Sequence, residues 1–240
     1  MKSSPILLVT LLGTLGMVTL SAQASPRAAE ATGSHYLIAA DNLGGWHLGG
    51  FYRYADREVD RGFYALKQNK FVMHVGHDLL SWLSVYGLLG STSVELEPGY
   101  GNRDRALEYG GGVWANLLDH DLLNNLALET RLRLQALAQI SASNPDLNGR
   151  DLDYTEFYGS LTLSLVNELR GNKNYWPDAI GLFFGPVYNE IHADEIDLTG
   201  DTVGLTIGLD LYLSRDTTLS FGYEAYDTDK VLNAAINFRF

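Results

Sequence analysis

Four groups of residues carry types that could do chemistry. The histidines are His35, His47, His74, His77, His120 and His192. His74 and His77 stand three apart, which suits two metal ligands on a helix, but a strand turns them to opposite faces. His192-Ala193-Asp194 places an imidazole two residues from a carboxylate, the pairing that moves protons in catalysis. It lies in an acidic stretch, and a solvated loop is the preferred reading. There Asp194, Glu195, Asp197 and Asp201 offer hard oxygen ligands to a cation such as Ca²⁺, without calcium-loop spacing. The last group is a charged row: Glu129, Arg131, Arg133 and Gln135 alternate with apolar residues, and Asp210 and Glu224 are placed similarly. No catalytic, cofactor or metal site is assigned on this basis.

The elements that position these residues have a period of two. Val203, Leu205, Ile207, Leu209, Leu211 and Leu213 oppose Gly204, Thr206, Gly208, Asp210 and Tyr212. Successive strand side chains point to opposite faces, so this is a strand with one apolar and one polar side. Leu107 to Leu117 repeats the pattern, with Glu108, Gly110 and Gly112 on the polar side. So do Leu126 to Ile140 and Tyr154 to Val166, the latter with Glu156 and Tyr158 on the polar side. Ala179 to Glu190 is apolar on both faces. Trp46 to Tyr54, Lys67 to Gly76 and Trp82 to Glu97 read as strands whose faces are blurred. Thr218 to Asp227 and Val231 to Phe240 complete about ten.

The connections are polar. ADREVDRG, residues 55–62, reads as an exposed loop, and His77 to Leu80 and Asp119 to Asp121 as tight turns. The predicted fold is all-β, an antiparallel up-and-down barrel of about ten strands, with eight or twelve as alternatives. No helix-period segment of useful length interrupts it.

Met1 to Ala24 reads as a secretory signal: Lys2, an apolar run from Ile6 to Leu20, then Ala22-Gln23-Ala24. The run of about 15 residues is shorter than the roughly 20 that a spanning helix needs. Cleavage after Ala24 leaves 216 residues and moves the net charge from −12 to −13. Residues 25–45 form a small, polar lead-in expected to be flexible, and 46–240 the barrel. So acidic a chain is a poor nucleic-acid binder. With no cysteine, it can carry neither a disulfide framework nor thiolate chemistry.

Leu232, Ala234, Ile236, Phe238 and Phe240 share one face of the last strand, opposite Asn233, Asn237 and Arg239. This ending resembles the closing strand of bacterial outer-membrane β-barrels, in which alternating apolar positions and a final Phe form the assembly signal. The resemblance implies export to the cell outer membrane and contact with outer-membrane lipid. It also implies insertion by the barrel-assembly machinery with periplasmic chaperones. It transfers no activity and leaves the surface partner unknown. Barrel-type lipid-A deacylases and outer-membrane phospholipases carry a His-x-Ser pair, and none occurs here. Omptin proteases pair His with Asp, of which His192-Ala193-Asp194 is a reversed echo.

A membrane barrel would turn its leucines to lipid and crowd its charges inside; a soluble lipocalin-like barrel would do the reverse. The small residues on the polar faces (Gly110, Gly112, Ser160, Ser164, Gly204, Gly208) favour a crowded interior. Side chains largely fill a lumen of this size, so a packed network is preferred to a narrow channel for small solutes. The expected role is structural or surface-interacting, without catalysis; an outer-rim enzyme is a further alternative. Parity predicts that a charge at Asn237, facing an already polar lumen, costs much less than one at Ile236, which would face hydrocarbon near the periplasmic rim.

Overall fold

The computed structural model describes residues 45–59, 64–80, 82–97, 100–101, 105–122, 129–146, 153–169, 177–193, 202–214 and 216–240. The strands are β1 (Trp46–Val59), β2 (Tyr64–Leu80), β3 (Leu83–Glu97), β4 (Tyr100–Gly101), β5 (Ala106–Leu122) and β6 (Glu129–Ser143). They continue as β7 (Tyr154–Glu168), β8 (Ala179–Ala193), β9 (Val203–Tyr212), β10 (Thr217–Ala225) and β11 (Lys230–Arg239). Each wall strand pairs antiparallel with its neighbours, and β1 pairs with both β2 and β11, which closes the sheet. β4 is a two-residue appendage on β3, so ten strands form the wall. The closing seam runs from His47↔Arg239 to Asp56↔Lys230. It is extended by reciprocal backbone bonds between Trp46 and Phe240, at 2.9 and 3.0 Å.

Closure pairs every wall strand on both sides over the apolar belt, which satisfies the backbone there. The exterior is apolar: Val203, Leu205 and Ile207 on β9 are 68, 66 and 61% exposed, and Leu182, Phe184, Phe71, Met73 and Leu89 are similarly bare. A continuous exposed apolar surface of this extent belongs against hydrocarbon, not water. Val203 to Leu211 spans about 26 Å along the strand, or about 20 Å along the membrane normal at a tilt near 40°.

Four expected connections are strand in whole or in part. Of the 192–194 stretch read as a solvated loop, His192 and Ala193 belong to β8 and pair with Thr155 and Tyr154. β1 runs on to Val59, so residues 55–59 are not loop; Ala55 and Arg57 are buried while Asp56 and Glu58 are exposed. Alternation persists there with charges on both faces, which hides it from a hydrophobicity pattern. His77 to Leu80 belongs to β2, and buried Asp78 receives hydrogen bonds from Ser84 and Arg239. Asp119 to Asp121 belongs to β5. A bulge between Asn116 and Leu118 leaves Leu117 and Leu118 both outside and returns Asp119 to the Arg133 side. The signal segment 1–24, nearly all of the lead-in, and Asp194, Glu195, Asp197 and Asp201 lie outside the described residues.

Above the apolar belt the pattern inverts. Leu66, Val94, Leu96, Tyr154 and Ile191 pack together inside the wall, while Asp56, Asn69, Glu97 and His192 face outward and are exposed. That is the arrangement of a sheet standing in water. Ala55, Val187, Tyr226 and Val231 form a second apolar cluster beside it. Together these clusters cap the lumen on the side of the β1–β2 and β7–β8 extensions.

Candidate functional site

Beneath the apolar cap, the lumen is crossed by a network of buried ions. Glu156 on β7 accepts from Arg53 of β1 at 2.6 Å, from Lys70 of β2 at 2.5 Å and from Asn189 of β8 at 2.5 Å. In the order of the wall, β7 and β1 are on opposite sides, so the Arg53–Glu156 pair spans the bore. Lys70 also meets Glu108 of β5 at 2.5 Å, and Arg53 meets Glu224 of β10 at 3.0 Å. Glu224 further accepts from Tyr158, Tyr226 and Asn233 at 2.9, 2.9 and 2.7 Å. Arg57 donates to Asn189 at 2.9 Å and lies over the Tyr226 ring at 5.2 Å. Three cations, Arg53, Arg57 and Lys70, thus stand among three carboxylates, Glu108, Glu156 and Glu224. All six are nearly solvent-free.

Buried charges are tolerated when each is paired and hydrogen-bonded, and removing one partner is strongly destabilising. Arg53, Lys70, Glu108, Glu156 and Glu224 meet the pairing condition, while Arg57 is held by neutral Asn189 and the Tyr226 ring. The whole network fastens seven strands to one another across the lumen. It has the chemistry of a strut: buried, cross-linked and neutral in sum.

A second polar layer lies toward the β1–β11 termini. Arg239 bonds Asp78 at 3.0 and 3.3 Å and stacks over Trp114 at 5.9 Å. His47, His74 and Tyr86 follow with ring centroids 5.8 and 5.6 Å apart, and Tyr86 donates to Gln139 at 3.0 Å. This layer fits only because glycines face it. A Cβ at Gly76 would lie 2.2 Å from the His47 ring and 2.6 Å from the Val85 carbonyl oxygen. Gly76→Ala is expected to cost about 1–3 kcal/mol by overpacking. At lipid-facing Gly50 the nearest atom is 3.5 Å away, so Gly50→Ala should be near neutral. Denaturant midpoints of the two variants in detergent check this.

The sequence-singled charges fall near this second layer, except Glu224. Arg131 and Arg133 approach Asp119 at 3.3 and 3.4 Å. Gln135 donates to Asn116 at 2.9 Å, and Ser220 donates to Asp210 at 2.6 Å. Glu129 lies in β6, and its side chain is outside the described residues. Leu232, Ala234, Ile236 and Phe238 share the outward face of β11, with exposed Phe240 just beyond it. Asn237 is on the inward face, but its amide oxygen crowds Gly49 beside His74. A lysine there would enter a polar layer that already holds His47, His74 and Arg239.

The other candidates are dispersed. His74 faces the lumen and His77 the exterior, its ring tilted against that of Trp46 with centroids 4.8 Å apart. His192 is exposed, 3.2 Å from Glu190 and edge-on to Phe157. Among the described residues no group of three or more His, Asp or Glu could hold a metal ion.

No protein-family model and no characterised protein sequence matches the chain. Several solved structures are similar. The β domain of the Bordetella autotransporter BrkA is 14% identical, with a TM-score of 0.47 over 82% of this chain and 100% of that one. An outer membrane channel from Pseudomonas putida F1 is 11% identical, with a TM-score of 0.41 over 87% and 99%. Neisserial surface protein A is 12% identical, with a TM-score of 0.35 over 81% and 97%. At such identities no functional residue carries across.

Proposed function

We propose that the protein is a bacterial outer-membrane β-barrel whose lumen is sealed, so that its role is structural or surface-interacting, not conductive or catalytic. Glu156 carries the sealed-lumen reading, because one carboxylate from β7 holds Arg53 and Lys70 across the bore. The apolar exterior supports the membrane. Residues 1–24 serve as the export signal, cleaved after Ala24. The face bearing Leu232, Ala234, Ile236, Phe238 and Phe240 serves as the signal read by the assembly machinery, delivered with periplasmic chaperones.

The test is to express the chain in a Gram-negative host, separate the membranes by density, and run the outer fraction on gels with and without heating. A band in the outer membrane that shifts on heating is the expected result. A mature chain that is monodisperse in water without detergent contradicts the reading.

A further inference from the structure

The three strands β9, β10 and β11 are short, at 10, 9 and 10 residues, where the other wall strands run to 14–17. Their outer face, continued onto β8 and β1, carries a shallow cleft of about 610 Å³. Its sides are two rows of outward side chains set by the strand register. One row is Tyr52, Ala234, Phe221, Leu209 and Leu182; the other includes Leu232, Tyr223 and Ile207. The backbone of Gly208, Gly222 and Asn233 forms the floor. Ala234 is small between the rings of Tyr52 and Phe221, and that makes the concavity. Tyr52 is held in place by its hydroxyl, which donates to Asn69 at 2.8 Å.

We propose that this cleft is a fixed site for one acyl chain of an anionic phospholipid in the leaflet on the loop side. The inference rests on the membrane reading above. An apolar cleft within the hydrocarbon belt can be filled only by hydrocarbon, and a rigid one retains a chain longer than a smooth wall does. The charge at its rim selects the headgroup. Lys230 is exposed one row above Leu232 on the same strand, at the edge of the belt. Its register partner on β1 is exposed Asp56, and a lipid phosphate at the edge of the belt competes with that carboxylate for the ammonium.

Native mass spectrometry of the full chain released from mild detergent tests this, using dioleoyl phosphatidylglycerol and dioleoyl phosphatidylcholine as probes. A single retained adduct is expected, favouring the anionic lipid by about five-fold, on the order of 1 kcal/mol. Ala234→Trp fills the cleft and should lose the adduct. Ala138→Trp, on the exposed face of β6, should keep it. Lys230→Gln should retain the chain while erasing the headgroup preference. Ala234→Leu replaces the Trp variant if the latter does not give a heat-modifiable band. Equal retention by the Ala234 and Ala138 variants, or several statistically distributed adducts, overturns the site. A folded, detergent-dependent barrel with no retained lipid overturns this inference alone. A chain that needs no detergent overturns the membrane reading itself.

Discussion

Glu156→Gln is expected to lower the stability of the folded barrel by about 3–5 kcal/mol, the cost of breaking a buried ion pair from one side. Glutamine keeps the size of the side chain and an oxygen for Asn189, so the change is nearly one of charge alone. Arg53 retains Glu224 and Lys70 retains Glu108, but three buried cations then face two carboxylates. The excess charge must draw in water or push a side chain out of the network. Urea unfolding in phospholipid vesicles measures the loss. Adding Lys70→Gln restores the balance of charge, so the double variant should recover part of the stability lost, giving a coupling energy of about 1–3 kcal/mol. A Glu156→Gln barrel within about 0.5 kcal/mol of wild type would mean that the network is not buried as described.

The second large effect depends on depth in the membrane. Ile207 and Val203 are exposed to a similar degree, 61 and 68%, on the same face of β9. Ile207 sits near the middle of the apolar belt and Val203 at its edge. Ile207→Arg is expected to cost about 2–4 kcal/mol and Val203→Arg about 0–1 kcal/mol. In a water-soluble barrel both sites would face solvent, and both variants would stay within about 0.5 kcal/mol of wild type. The difference between the two, measured as equilibrium unfolding in vesicles, therefore reports the solvent of the outer face directly.

The wall was readable wherever one face was uniformly apolar. β9 and β11 show it best, because lipid demands the same chemistry at every second residue. The upper parts of β1 and β2 were not readable by that rule. There the wall leaves the membrane, Arg57 turns inward and Asp56 and Glu58 outward, and a run of charges looks like a loop. Asp119 was hidden by the bulge at Asn116, since one extra residue reverses parity and period counting cannot detect it.

The ion network was half legible for the same reason. Glu108 and Glu156 stood on recognisably polar faces, and Glu224 was singled out as a lumen residue. Their partners Arg53 and Lys70 lie in strands whose alternation was blurred by Gly49, Gly50 and His74. Which cation meets which carboxylate depends on the closure of β1 onto β11. That is a pairing between residues about 170–190 apart in sequence, which local pattern does not encode. The sequence signal that remained was compositional: isolated cations in strands facing isolated acids in others.

Planar-bilayer recording of the refolded wild-type barrel tests the sealed lumen most directly. The bore is crossed by Arg53–Glu156 and Lys70–Glu156 and capped by the Leu66, Leu96 and Ile191 cluster. Inserted wild-type protein should therefore be silent across several voltages, and Glu156→Gln should be silent too while the apolar cap stays in place. Reproducible steps from the wild type, with the same size in the variant, would contradict a sealed lumen and establish a conducting path past the network.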